Sequence, residues 1–524
     1  MGILRTQRRF ILSIAIITGI LLVTMFLFFG PTDNWAWDPS FYYAQVRSPI
    51  IDDDLNFYND TNTSGVETAP TATGLQPTTY PIGPAILWSP FFLAAHILVT
   101  RFFPAYADGL SAPYIAFVSI GTIFYALLGM LIIYKMLRSL SDRFTSILTC
   151  TMCVAATPLF FFIFRQPITA HTTTLLLSAL IIWVFLMLDE DQLPIQVSGL
   201  LFGVFLGLLF INRWSGVFLG VFPMIYYLVQ IKERFDKNKL STLIPILIQI
   251  AIFIAVFFIT ISPQIILWYR LHNRLLIFPQ SPRSWITELR DQNIHNIFIH
   301  TNRGLLYWAP FMLVGLLGIF WIKNPRLRLG SILNIALLLL LLGLREDWFG
   351  GGLYGTRFFL EVLPIIALGF VSLWSSIRLR MTLKNSALVV FSIFTIVQQF
   401  VLMHAVEFGI EPGWINLPAY FEGTPVGFKF QWESLLRLIR NPREWFLPRP
   451  YVAQDHQTIF VNILDSTRKL SDYYIQLITI TIIPFLMVVF GFITKLVKRN
   501  HLPLITTLIL ILMVTWSVFL LLVS

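Results

Sequence analysis

Acid is scarce in this chain. Its 524 residues hold 27 Asp and Glu against 37 Lys and Arg, and only 12% are charged, about half the roughly 25% usual for soluble domains. So little charge excludes the solvated surface that a soluble protein of this length needs. Cysteine is almost missing too: Cys150 and Cys153 stand at helical i, i+3 spacing inside an apolar run. That excludes a disulfide framework and leaves two packing residues from which no redox compartment is read. There is no polar stretch long enough for an ordinary soluble domain. The net charge of +10 falls in short clusters between apolar runs, as membrane topology demands, which argues against nucleic acid as a partner.

What is present is apolar: 56% hydrophobic residues, arranged in runs of about 20, each long enough to cross a hydrocarbon core of roughly 30 Å. The expected fold class is an all-α polytopic membrane protein. The first run, within Met1 to Gly30, follows Arg5, Arg8 and Arg9 and lacks a small-residue cleavage site, so it reads as a retained helix rather than a signal peptide. With that basic end cytoplasmic, spans fall at 10–30, 113–134, 144–164, 169–188, 195–211, 214–230 and 241–269. They continue at 304–322, 329–344, 358–377, 386–406, 474–494 and 501–523, about 13 transmembrane helices in all. Basic clusters such as Lys135/Arg138/Arg143, Lys323/Arg326/Arg328 and Arg378/Arg380/Lys384 then mark every second connection. The turn Asp189 to Pro194, without Lys or Arg, is the exception.

The apolar stretch Pro84 to Phe103 breaks this alternation if it crosses. It is therefore expected to lie on the outer leaflet as an interfacial segment, its prolines 81, 84 and 90 ruling out a regular long helix. The first external loop then runs from 31 to 112, and 270–303 and 407–473 are further external regions.

Carboxylates in an acid-poor chain are informative, and the first loop concentrates them. Asp38 lies between Trp37 and Pro39, which disfavours helix at Asp38 itself. It reads either as a helix N-cap for Ser40 to Arg47 or as a general base at a dry surface. Asp52, Asp53 and Asp54 are tolerable together in water or around Mg²⁺ or Mn²⁺. Between them Tyr42, Tyr43 and Arg47 either contact substrate or pack the loop. His171 stands at the outer end of a span, where an imidazole is a packing or a substrate-binding residue. Arg303 opens another span, and Arg357 follows a glycine-rich turn at a helix N-terminus, an anion-favouring place. Arginine at such a face suits a lipid phosphate.

The pattern Asp38-x-x-x-Tyr42-Tyr43-x-x-x-Arg47-Ser48 with Asp52 to Asp54, together with Tyr80-Pro-Ile-Gly-Pro-Ala, Asn302-Arg-Gly-Leu-Leu and Tyr354-Gly-Thr-Arg357, resembles the polyprenyl-phosphate-dependent membrane glycosyltransferases of the GT-C class. Protein O-mannosyltransferases and the aminoarabinose transferase of lipid A are the nearest groups. The resemblance spans roughly residues 10 to 380. It implies a GT-C-like catalytic core over 1–380 and a C-terminal transmembrane region over 381–524. It also implies a polyprenyl-phosphate sugar donor, a hydroxyl acceptor on protein, lipid or glycan, inverting transfer, and an active site on the extracytoplasmic side of a bacterial inner membrane. Asp38 takes the position of the family's base. Many members carry Asp-Glu there; here Pro39 follows, which leaves the need for a divalent cation open. A lipid-linked polysaccharide polymerase and a flippase or transporter are the competing classes. The second fits poorly, since few charges lie deep in the spans.

Overall fold

The computed structural model describes residues 38–62, 69–78, 80–236, 243–277, 291–300, 303–345, 348–350, 354–407, 429–441 and 444. The expected spans at 10–30, 474–494 and 501–523, with 278–290 and 301–302 of the expected external region 270–303 and most of 407–473, lie outside these. The described chain is helical without strands. Its main elements are α1 (Asp38–Ile51), α2 (Gly83–Phe102), α3 (Ala112–Leu140), α4 (Arg143–Ala155), α5 (Leu159–Phe164), α6 (His171–Asp189) and α7 (Ser198–Asn212). There follow α8 (Val221–Asp236), α9 (Ile244–His272), α10 (Pro310–Gly318), α11 (Pro325–Gly343), α12 (Leu363–Ser376), α13 (Met381–Glu407) and α14 (Lys429–Arg440). Nine helices among the described residues are long and apolar enough to cross a membrane.

Local chemistry sets the ends. Asp142 caps α4 by accepting from the amides of Phe144 and Thr145 at 2.8 and 3.1 Å, and Asn324 caps α11 in the same way before Pro325, satisfying donors no helical carbonyl reaches. The span expected over 144–164 is instead α4 and α5, broken at Thr157 and Pro158, and the one over 304–322 is likewise broken before Pro310, because proline cannot donate to the preceding turn.

Close packing uses glycine where backbones must approach. Gly199, Gly203 and Gly207 recur every fourth residue along α7 and face α9, where an added Cβ would lie 2.4 Å from the Gln249 carbonyl, 2.8 Å from Val256 and 2.8 Å from Thr260. This is the small-residue seam of membrane helix pairs. Helix α6 is the hub, with 94% of its apolar window buried, whereas α9 has only 22% buried and presents Ile248, Ile254, Phe258 and Ile259 outward, as a lipid-facing helix does.

Charged groups collect at two opposite ends of the bundle. At one, Arg326 bridges Asp189 at 2.7 Å and Glu233 at 2.6 Å, so the acidic turn after α6 is matched by the basic start of α11. At the other, the start of α6, the end of α7 and the approach to α12 converge with α1. The connections that the positive-inside layout placed on one side of the membrane are grouped at one end of the bundle.

One expectation is corrected. The prolines do not prevent a long helix: α2 runs unbroken for 20 residues through Pro90. Pro84 sits in the first turn, where its missing N–H costs nothing. The carbonyl that Pro90 leaves unpaired, that of Ile86, accepts instead from the Ser89 hydroxyl at 2.7 Å. By length and composition α2 qualifies as a span, yet both its ends stay with the α1 side. Gly83 abuts Ile211 and Asn212 at the end of α7, and the segment after its C-terminus returns to α1, where Tyr43 donates to the Gly109 carbonyl at 2.6 Å. Helix α3 then retraces α2, Tyr114 meeting His96 and Tyr125 meeting Leu87.

Candidate functional site

Helix α1 begins at Asp38 itself, not after it: Pro39 falls in the first turn, where its ring favours helix rather than ending it. The Asp38 carboxylate does not cap α1. It reaches across the fold, with Oδ2 paired to Arg357 at 2.5 Å and Oδ1 accepting from the Tyr80 hydroxyl. Arg357 opens the short 3₁₀ turn that leads into α12, so residues 319 positions apart in sequence share one ion pair. Both side chains are nearly buried, at 12 and 13% exposure.

A second pair adjoins the first. Arg213, at the end of α7, lies 3.5 Å from Glu361, which also accepts from Ser215 at 2.6 Å. Arg213 Nη1 donates to His171 Nδ1 at 3.0 Å. Because a guanidinium only donates, that nitrogen is the acceptor and the imidazole is neutral with its proton on Nε2. The guanidinium carbons of Arg213, Arg345 and Arg357 lie 5.4, 5.1 and 5.7 Å from the centre of a single ring, Phe358. Among the described residues, three arginines and two carboxylates, Asp38 and Glu361, share this half-dry space.

Tyr42 belongs here. Four residues after Asp38, and so on the same face of α1, its ring packs on Tyr80 at 4.8 Å and Trp88 at 6.3 Å. Burial, and secondarily the Asp38 charge, push its phenol well above the usual range, with Arg213 and Arg357 pulling the other way. Burial and Asp38 do the same to Tyr80, which stays protonated and able to donate.

The remaining expected residues go elsewhere. Tyr43 is a core residue bonded to Gly109. Arg47, about two and a half turns along α1, clamps its far end: Nη1 meets Asp52 at 2.5 Å and Asp60 at 2.8 Å, and Nε donates to the Asp108 carbonyl at 2.9 Å. Burial opposes the charge on Arg47, but Asp60 and Asp52 more than restore it. Burial pushes the Asp60 carboxyl up to about 7 despite the pull of Arg47. Arg303 lies over the Trp308 ring at 4.4 Å, and Trp308 packs on Tyr354 just before the Arg357 turn.

The acidic triplet is divided. Asp52 is held by Arg47 and by Asn59 at 2.9 Å. Asp54 accepts from Ser48 at 2.7 Å and from the Asn56 amide at 3.0 Å. Asp53 is exposed with φ 56°. These carboxylates point to separate partners, and among the described residues no group of three or more His, Cys, Asp and Glu side chains is placed to hold a metal ion.

Sequence reasoning had missed Arg213 and Glu361. The signal was present in each: a single charge set between or inside apolar runs, an expensive position that marks function or pairing. Compared with family models, with curated proteins and with solved structures, the chain matches none.

Proposed function

We propose that the protein is an integral-membrane glycosyltransferase that moves a sugar from a polyprenyl phosphate to a hydroxyl acceptor, with inversion, on the extracytoplasmic face. The observation that carries the reading is the buried Asp38–Arg357 pair with Arg213 and Arg345 beside it around Phe358: a base and three guanidinium groups in one place. Transfer needs both. The acceptor oxygen attacks the anomeric carbon, the bond from that carbon to the phosphate oxygen breaks with its electrons going to the phosphate, and the acceptor proton passes to Asp38. The departing lipid phosphate gains negative charge, which the arginine forks stabilise.

The pair also explains how the base is kept in reserve. With Oδ2 bound to Arg357 and Oδ1 accepting from Tyr80, neither carboxylate oxygen of Asp38 is open to an acceptor hydroxyl. A donor phosphate that draws Arg357 toward itself frees one carboxylate oxygen as it arrives, so the base becomes available only with substrate in place. Tyr80 keeps the other oxygen oriented.

The test is Asp38→Asn in purified, membrane-reconstituted protein given a labelled polyprenyl-phosphate sugar. Transfer is expected to fall by about 10²–10⁴-fold, the range of a general base. Undiminished transfer removes Asp38 from that role. Wild-type protein that neither transfers nor hydrolyses any such donor overturns the class, and movement of the intact donor across the bilayer points to a flippase instead.

A further inference from the structure

Helix α13 carries a stripe of apolar side chains that changes environment along its length. Val390, Ile393, Phe394 and Val397 are 67, 57, 58 and 37% exposed, the outward face of a helix long and apolar enough to span. The same i, i+3, i+4, i+7 stripe continues to Val401 and His404, which are 6 and 0% exposed. What covers them is α14: Ser434 donates to the Val401 carbonyl at 2.9 Å and meets His404 Nδ1 at 2.6 Å, while His404 Nε2 meets Glu444 at 2.7 Å just beyond the helix. So α14 lies on the outside of the bundle, against the face that elsewhere looks outward, at the end of a candidate span. That end is the site end, since Gln399 bonds Tyr354, three residues before Arg357.

Around α14 the residues sort into three sectors. Ser434 and Leu438 are buried against α13. Glu433 and Arg440 are exposed on a charged side, with Arg437 between them and the buried sector, paired to Glu444 at 2.8 Å. On the third side Trp432 and Ile439, seven residues apart, are 61 and 62% exposed, with half-buried Leu435 and Leu436 beside them. We infer that α14 is a membrane-surface helix whose Trp432–Ile439 face is seated in the lipid headgroup and upper acyl region of the bilayer. The exposed apolar face of α13 makes lipid the continuous neighbour. A tryptophan beside an aliphatic, with charge about 100° round the helix, is the arrangement that lies in an interface rather than across it.

The test uses full-length protein in nanodiscs of phosphatidylethanolamine and phosphatidylglycerol. Spin labels go on Trp432→Cys, Ile439→Cys, Glu433→Cys and Arg440→Cys in a Cys150→Ser/Cys153→Ser background. Labels at 432 and 439 are expected to collide severalfold more with oxygen than with a water-soluble nickel complex, and labels at 433 and 440 the reverse. Nickel access at 432 and 439 overturns the inference. So does exclusion of both reagents there, which would put a second copy or the chain's own residues 445–524 on that face. Each of the two apolar positions is diagnostic alone, so misfolding of one variant leaves the other to decide.

Discussion

The Asp38–Arg357 pair separates stability from chemistry by a double-mutant cycle. Both side chains are only 12 and 13% exposed, so removing one partner strands a charge that water reaches poorly. Asp38→Asn and Arg357→Gln are each expected to cost roughly 3–5 kcal/mol. Joining them strands nothing, so the double variant should lose less than the sum of the two single losses, by a coupling of about 3 kcal/mol. Unfolding followed in mixed micelles of rising SDS fraction, with the four proteins side by side, measures it. Transfer from a labelled polyprenyl-phosphate sugar is read on the same samples, where the double variant is expected to remain inactive because base and cation are both gone. A coupling below about 1 kcal/mol, the value of an exposed pair, refutes the claim that this is a buried pair. A stable and active double variant refutes the claim that it is the working one.

Arg213→Gln and Arg345→Gln should each lower kcat/KM for the donor by roughly 10–150-fold, the equivalent of about 1.5–3 kcal/mol for a charge-assisted hydrogen bond, whereas Arg326→Gln at the opposite end should leave transfer unchanged. Asp60 has a folded-state pKa near 7, above its ordinary 3.8, so the folded protein holds that proton more tightly. Its contribution is full below about pH 4 and lost as pH rises through about 7; wild-type stability measured relative to Asp60→Asn should fall over that window and then level. The opposite slope would make Asp60 an ordinary carboxylate held ionised by Arg47. Gly369→Ala places a Cβ 2.3 Å from the Gly315 carbonyl, backbone that cannot move aside, so a loss of about 1–3 kcal/mol or more is expected in the same micelle assay. Gly220→Ala, whose Cβ would meet only the Leu206 side chain at 3.3 Å, should be far milder.

The long apolar helices and the clustering of charge at their ends were legible because burying charge in lipid is costly, and that cost writes itself into the spacing of apolar runs and basic clusters. Asp38, Tyr42, His171 and Arg357 were legible as isolated polar groups at run ends, and they are brought together. Tyr43 and Arg47 were read with them because they lie in sequence between Asp38 and the Asp52 to Asp54 triplet, as if neighbours in sequence shared a location. In a helix they do not: nine residues carry Arg47 about 13 Å along the axis from Asp38 and half a turn round it. Arg213 was hidden by a boundary drawn between two runs. Glu361 was hidden inside one, where its partners Arg213 and Ser215 come from 148 and 146 positions away, a pairing no local pattern records. Pro90 misled for a similar reason, since the rule that proline ends a helix omits the serine hydroxyl that satisfies the freed carbonyl.

Under the proposed function, the division of the first loop's acids matches what a base in a membrane protein requires. A carboxylate that must accept a proton on cue has to be held in one place without being permanently neutralised, and a loop rich in rotatable bonds cannot do that. Helix α1 solves it by spending its other charges on position. Arg47 ties the far end to Asp52, Asp60 and the Asp108 carbonyl, Asp54 closes the turn that follows through Ser48 and Asn56, and Tyr43 fixes the middle to Gly109. With that end rigid, the orientation of Asp38 is set by the helix rather than by its own side-chain torsions, the preorganisation on which electrostatic catalysis depends. Loosening the clamp should therefore weaken transfer without touching the site, whereas changes at Arg357 alter the charge that Asp38 meets.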